Sequence, residues 1–257
     1  MMLFHHRQRN VENLIPNLEI NGVPIELVKE FNFLGIMLDE CMTWNSHISK
    51  ISCKLSCALG TFRRLKRFLP FFILKTIYSS LFLPYLNYGI LLWGTNLSRI
   101  EKLQKFAVRA ITNSKYNAHT DPIFKRHSLL KVSDIYELNI LKLYFKYKNN
   151  LLPAFFHNLF EYDFGPNHSH DTRHKNEPRL PSPNTASAEK AIRYIVPKII
   201  MRTPNHIIDK IHTHSLGGYS LYIKKIMYAK YFETCSIPNC YICNLNLVDI
   251  SARLNLS

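Results

Sequence analysis

The chain reads as mainly α: a short N-terminal β element followed by a helical bundle, an irregular linker and a small α-rich C-terminal segment. Three observations predict this. Residues 1–40 look like strands and turns, and Asn21-Gly22 between short extended pieces is a strong hairpin signal. From Thr43 onward apolar residues recur at three- and four-residue spacing. Residues 163–188 then mix Pro166, Pro178, Pro181 and Pro183 with Asn, Ser, His and Arg and hold few aliphatics, as a linker or surface segment does.

Taken in order, Leu18–Ile25 predicts two extended pieces around the Asn-Gly turn, and Phe31–Asp39 a mostly apolar extended run closed by acidic residues. Ile48, Ile51, Leu55, Leu59, Phe62, Leu65 and Leu69 predict a helix capped by Thr43 or Asn45, with Arg63, Arg64, Lys66 and Arg67 at its C-terminal end, where the helix dipole favours cations. Pro70 ends that helix, and residues 71–93 form an apolar helical stretch interrupted at Pro84. Ser98 three residues before Glu101 has capping-box spacing. The helix it opens, Arg99–Asn113, places Ile100, Leu103, Phe106, Ala107, Ala110 and Ile111 on one face and Lys102, Lys105 and Arg109 on the other. Asp121-Pro122 suits a cap and first turn. Ser133 starts a helix to about Asn149 with Ile135, Leu138, Leu141 and Phe145 inward. Beyond the linker come a segment around Arg193–Met201, a helix after Pro204 and a last helix near Tyr219–Phe232.

With 257 residues, 47% hydrophobic and 20% charged, the chain can bury a sizeable core, and wholesale disorder is excluded. Only 8 Gly argue against Gly-rich phosphate loops. No apolar run reaches the roughly 18–20 residues of a membrane span. The first residues lack the apolar core of a secretory signal. Six scattered Cys do not make a disulfide scaffold, so we expect an intracellular chain with reduced thiols, nucleus or cytoplasm left open.

The net charge of +15 is uneven. Residues 51–150 hold 17 basic and 4 acidic side chains, a net of 17 − 4 = +13. Such a concentration suits a nucleic-acid-facing surface, because cations near phosphates release condensed counterions; a solvated face with no polyanion partner is the competing reading. Arg63, Arg64, Lys66 and Arg67 cannot all lie on the stripe set by Phe62, Leu65 and Leu69, and Lys102, Lys105 and Arg109 share one polar face. These seven are the candidate nucleic-acid-binding residues.

Several strings, in one order, resemble the C-terminal part of a non-LTR (LINE-type) retrotransposon reverse transcriptase, as in arthropod transposons. Phe31–Asp39 followed by Met42-Thr43-Trp44-Asn45-Ser46-His47-Ile48 resembles "FKYLG…LD…LTW..HI". Leu65–Pro70, Ile77–Leu81, Leu83–Gly89 and Trp93-Gly94 resemble "LP…lY.sli.P.l.Y….WG" of the thumb-like region. Leu103–Ile111 resembles "LQ.k.lR.I". The resemblance covers roughly residues 1–160. It implies that Phe33, Leu34 and Gly35 are primer-grip-like. It also implies that residues 1–42 are the end of the palm, that 43–160 are a basic thumb-like domain, and that the partner is template-primer RNA and DNA rather than a membrane. The linker then spans 161–190 and a small helical segment 191–257.

Polymerases of this family hold two Mg²⁺ ions on carboxylates that include an aromatic-Ala-Asp-Asp turn. No Asp-Asp pair occurs in this chain; Asp39-Glu40 is its one adjacent acidic pair. By the resemblance Met1–His6 aligns just past that turn, so we expect a fragment with no catalytic residue, no cofactor of its own and no activity alone. Binding is expected to be weak and sequence-independent. The alternative is a non-enzymatic basic helical nucleic-acid-binding or interaction domain, with or without a zinc-binding C-terminus.

Cys235, Cys240 and Cys243 give C-x4-C-x2-C, one ligand short of the four that zinc takes, so ordinary thiols are the first reading and a zinc site the second. His168, His170 and His174 read as solvated, Ser79 and Ser80 lack a nearby base, and Trp44 and Trp93 read as core anchors. Tyr144–Lys148 interleaves rings with cations, as base-stacking surfaces do, yet its phase fits Tyr144 and Phe145 in the core.

Overall fold

A computed structural model describes residues 1–5, 18–156, 182–185 and 187–231. Two antiparallel hairpins come first. β1 (Glu19–Ile20) and β2 (Val23–Pro24) are joined by Asn21-Gly22 at φ +53° and +77°. Two successive positive φ values mark a type I′ turn, whose twist matches that of paired strands. β3 (Glu30–Phe33) pairs with β4 (Ile36–Asp39), with Phe31 opposite Leu38 and Phe33 opposite Ile36. The single extended run expected over Phe31–Asp39 is therefore a hairpin. It reverses at Leu34-Gly35, φ +48° and +83°, and Leu in a position that favours Asn or Gly conceals the turn in the sequence.

The connection to α1 (Asn45–Leu65) is closed by Asp39. Its Oδ1 accepts from the amides of Cys41 at 3.2 Å and Thr43 at 2.9 Å, and its Oδ2 from Trp44 at 2.9 Å. Thr43 Oγ1 receives the Asn45 amide at a longer 3.4 Å, so the expected caps are secondary to Asp39. From β4, the Met37 amide donates to His47 Nδ1 at 3.2 Å, which fixes the His47 tautomer with its proton on Nε2. Trp44, Ile48, Ile51 and Leu55 are buried, in phase with the helix. By contacts the chain divides into two units, residues 1–55 and 56 onward.

In the second unit the apolar stretch after Pro70 is three helices: α2 (Phe71–Leu81), α3 (Leu83–Asn87) and α4 (Ile90–Trp93). The break expected at Pro84 lies on either side of it. Pro84 occupies the first turn of α3, where a missing N–H is tolerated, and the chain turns at Phe82 and at Gly89, φ +63°. α5 (Ser98–Ile111) has no capping box: Ser98 is already helical, and Leu97 precedes it in αR conformation without a side-chain cap. α6 (Asp121–Arg126) carries Asp121 and Pro122 in its first turn, behind Thr120.

α7 (Val132–Lys148) is the central element, packed against α3, α4, α5 and two helices from the C-terminal part of the chain. These are α8 (Ile192–Arg202) and α10 (Leu216–Lys230); the short α9 (Asn205–Ile208) lies between them in sequence. Ile135, Leu138, Leu141, Tyr144 and Phe145 are buried, so the interleaved aromatics of this stretch belong to the core. No described helix is long and apolar enough to cross a membrane.

Candidate nucleic-acid interface

Many of the residues that carry the sequence resemblance hold the interior together. Gln104 is buried at 1% exposure and all of its hydrogen-bonding atoms are used. Its Nε2 donates to Tyr78 Oη at 3.0 Å and to the Leu130 carbonyl at 2.8 Å, and its Oε1 accepts the Val132 amide at 2.8 Å. One amide therefore ties α5 to α2 and to the entry of α7. Tyr78 in turn stacks on Phe82, ring centroids 5.1 Å apart, and burial pushes its phenol pKa well above the ordinary value. Trp93 is fully buried and donates its indole N–H to the Tyr88 carbonyl at 3.0 Å. Gly94 has no room for a side chain: a Cβ there would lie 2.3 Å from the Tyr136 ring.

The basic candidates divide by environment. Arg63, Arg64 and Arg67 are exposed at the end of α1, and Lys66 is half-buried. Lys66 Nζ donates to Asn113 Oδ1 at 3.2 Å, so this cluster adjoins the C-terminal end of α5. Phe68 and Tyr116, about four-fifths exposed, follow these two helix ends in sequence. Lys102 and Lys105 are exposed on α5. Arg109 is half-buried: its Nε donates to the Ala118 carbonyl at 2.7 Å, and its guanidinium carbon lies 6.0 Å from the Phe106 ring centre. Phe106, expected on the inward face, is 43% exposed, and the inward position belongs to Gln104. Two of the four carboxylates in the basic stretch are internally engaged. Asp121 pairs with Lys131 Nζ at 2.8 Å, and Asp134 accepts the hydroxyl of Tyr231, whose oxygen also takes the Lys131 amide at 3.0 Å.

Phe33, Leu34 and Gly35 sit together at the tip of the β3–β4 hairpin, with Phe33 and Leu34 exposed. Cys235, Cys240 and Cys243, and His168, His170 and His174, lie outside the described residues. Cys41, Cys53 and Cys57 are free thiols. The sequence reading misses one cluster: His5, Glu40 and Cys41 bring their ligand atoms within 4.8 Å of one another. Ser79 and Ser80 donate to the Lys75 and Ile77 carbonyls of their own helix, at 2.9 and 3.1 Å.

Two curated proteins, both from Drosophila melanogaster, are similar in sequence. The probable RNA-directed DNA polymerase from transposon BS is 29% identical over 106 residues, 38% of this chain and 12% of that protein. The probable RNA-directed DNA polymerase from transposon X-element is 24% identical over 129 residues, 48% of this chain and 14% of that protein. No protein-family model and no solved structure matches. The matches take up about an eighth to a seventh of the relatives' length. A region of this chain is related to the RNA-directed DNA polymerases of non-LTR retrotransposons.

Proposed function

We propose that the chain is a fragment of a transposon-encoded RNA-directed DNA polymerase, that it grips template and primer, and that it does not polymerise alone. The observation that carries the grip is the cluster of Arg63, Arg64 and Arg67, exposed together at the end of α1, with Lys66 tied to Asn113 beside them. The stretch from 51 to 150 carries only 4 carboxylates against 17 cations. Asp121 and Asp134 are committed to Lys131 and Tyr231, and the four carboxylates together leave the stretch with a net charge of +13. Such a surface contacts phosphates and does not read bases, so binding is weak, sequence-independent and steeply salt-dependent. Phe68 and Tyr116 offer exposed rings on which unpaired bases can stack. The hairpin tip of Phe33, Leu34 and Gly35 is the part assigned to the primer. The absence of any Asp-Asp pair supports the lack of activity; Mg²⁺ belongs to the carboxylate turn of a complete polymerase.

The test is retention on primed RNA template and on single-stranded DNA as salt is raised. The wild-type chain is expected to bind at low salt. Changing Arg63, Arg64, Lys66 and Arg67 together to Gln is expected to flatten the salt slope while circular dichroism stays helical. Primer extension with Mg²⁺ and nucleotides is expected to give no product; extension above a blank preparation overturns the assignment of no catalysis. A wild-type chain that is not retained at all makes the basic stretch a solubilising face.

A further inference from the structure

The loop between α5 and α6 folds back over the end of α5 and borders a half-open hollow of about 260 Å³ lined by Lys105, Arg109, Asn117, His119, Thr120 and Asp121 among others. Lys105 and Arg109 are one helical turn apart on α5, so their charges converge on one side of it. Arg109 is held in place by the bond from its Nε to the Ala118 carbonyl, 2.7 Å. Burial disfavours its charged form, yet among the described residues no carboxylate pairs with it. Asp121, on the same wall, has its oxygen on Lys131 at 2.8 Å. A half-buried guanidinium, a second cation and the polar side chains of Asn117 and Thr120, around a hollow whose carboxylate is paired with Lys131, make a complement for an anion. The hollow is several times larger than a tetrahedral oxyanion. Arg binds phosphate oxygens through paired N–H groups, and here Nε is engaged while the Nη groups carry the remaining donors.

We propose that this cavity seats one phosphodiester group of the bound RNA or DNA backbone, between Lys105 and Arg109. The proposal rests on the nucleic-acid reading above and adds to it one fixed point. The exposed arginines of α1 track the backbone loosely, whereas a recessed site with a pre-positioned guanidinium sets its register.

Two measurements on the full chain separate the proposal from the reading beneath it. In the first, the affinity for a labelled single-stranded oligonucleotide is followed against salt for wild type, Lys105→Gln, Arg109→Lys and, as a control away from the cavity, Lys225→Gln. Loss of one phosphate contact reduces the log–log slope by about 0.7, so Lys105→Gln is expected to be shallower by that amount and the control unchanged. Arg109→Lys keeps the charge and loses the fork, so its affinity is expected to fall with little change of slope. In the second, the melting temperature is followed with inorganic phosphate against chloride at equal ionic strength. Wild type is expected to be stabilised by phosphate and Lys105→Gln not, with both folding at the same temperature in chloride. If wild type binds nucleic acid and both cavity variants match it in affinity and slope, the seat is refuted and the general reading stands. If phosphate stabilises the wild type but no nucleic acid is retained, the general reading and the backbone as source fail together, leaving a free-phosphate site.

Discussion

Replacing Gln104 by Leu separates a structural from a functional reason for a polar residue in the middle of α5. Leu fills nearly the same volume, so the change leaves packing largely intact and removes only polarity. It deletes three hydrogen bonds, to Tyr78 Oη, the Leu130 carbonyl and the Val132 amide. Each is worth about 1 kcal/mol net, and each buried partner left unmet adds up to about 1–3 kcal/mol. Tyr78 is fully buried, so relaxation toward water recovers little there. The expected loss is roughly 3–6 kcal/mol, a large part of the about 5–15 kcal/mol that holds a domain. The readout is urea unfolding followed by far-ultraviolet circular dichroism, with a melting temperature lowered by roughly 6–24 °C. Tyr78→Phe guards against a variant that does not fold. It removes one of the three bonds while Gln104 keeps the Leu130 and Val132 partners, so about 1–2 kcal/mol is expected to be lost. A Gln104→Leu protein within about 1 kcal/mol of wild type would refute the latch and return Gln104 to the list of functional candidates.

Gly94→Ala forces a Cβ to within 2.3 Å of the Tyr136 ring and 2.5 Å of the Ile90 carbonyl, and is expected to cost about 2–4 kcal/mol in the same unfolding assay. Tyr231→Phe removes the hydroxyl that joins Lys131 and Asp134, and should cost about 1–3 kcal/mol and speed proteolysis within α10; unchanged cleavage refutes that docking role. His47 and His127 have pKa values pushed below 6.5 by burial, and by Lys50 and Lys54 or by Arg126 and Lys75 respectively. The unfolded chain takes up these protons first, so the contribution of each is complete above about pH 6.5 and is lost as pH falls from there through the lower folded value. Melting temperatures at steps from pH 7.5 to 5 are expected to fall less for His47→Gln than for wild type.

The helical part of the fold was legible because its apolar spacing is regular: Ile135, Leu138, Leu141 and Phe145 are buried as their phase requires. The same rule, followed strictly, also finds Gln104, since Ile100, Gln104, Ala107 and Ile111 share a stripe and Phe106 lies well off it. A lone polar residue in phase with apolar ones is the signal of a buried, satisfied amide. What spacing does not carry is the burial of Arg109. Residue 109 lies opposite Ile100 on the helix and becomes enclosed only because the loop through Ala118 folds over it. The hairpin at Leu34-Gly35 was hidden for a different reason, since its backbone conformation is set by strand pairing and the Leu gives no hint of it. The basic cluster of α1 was found by charge, while its neighbour across the fold, Asn113, needed the structure.

Leu34 is unfavourable twice over: an L side chain in the left-handed region, and an aliphatic group that is about three-quarters in water. Asn would relieve both. Most alterations of a folded chain harm it, so loss of stability and loss of function are easily confused. At this tip the two have opposite signs. Leu34→Asn should leave a sturdier protein, by about 0.5–1 kcal/mol, and yet, if the hairpin touches the primer, a poorer grip. A chain of this kind thus carries its own internal control: a single position where a protein that survives heat better, and does less, cannot be explained by damage.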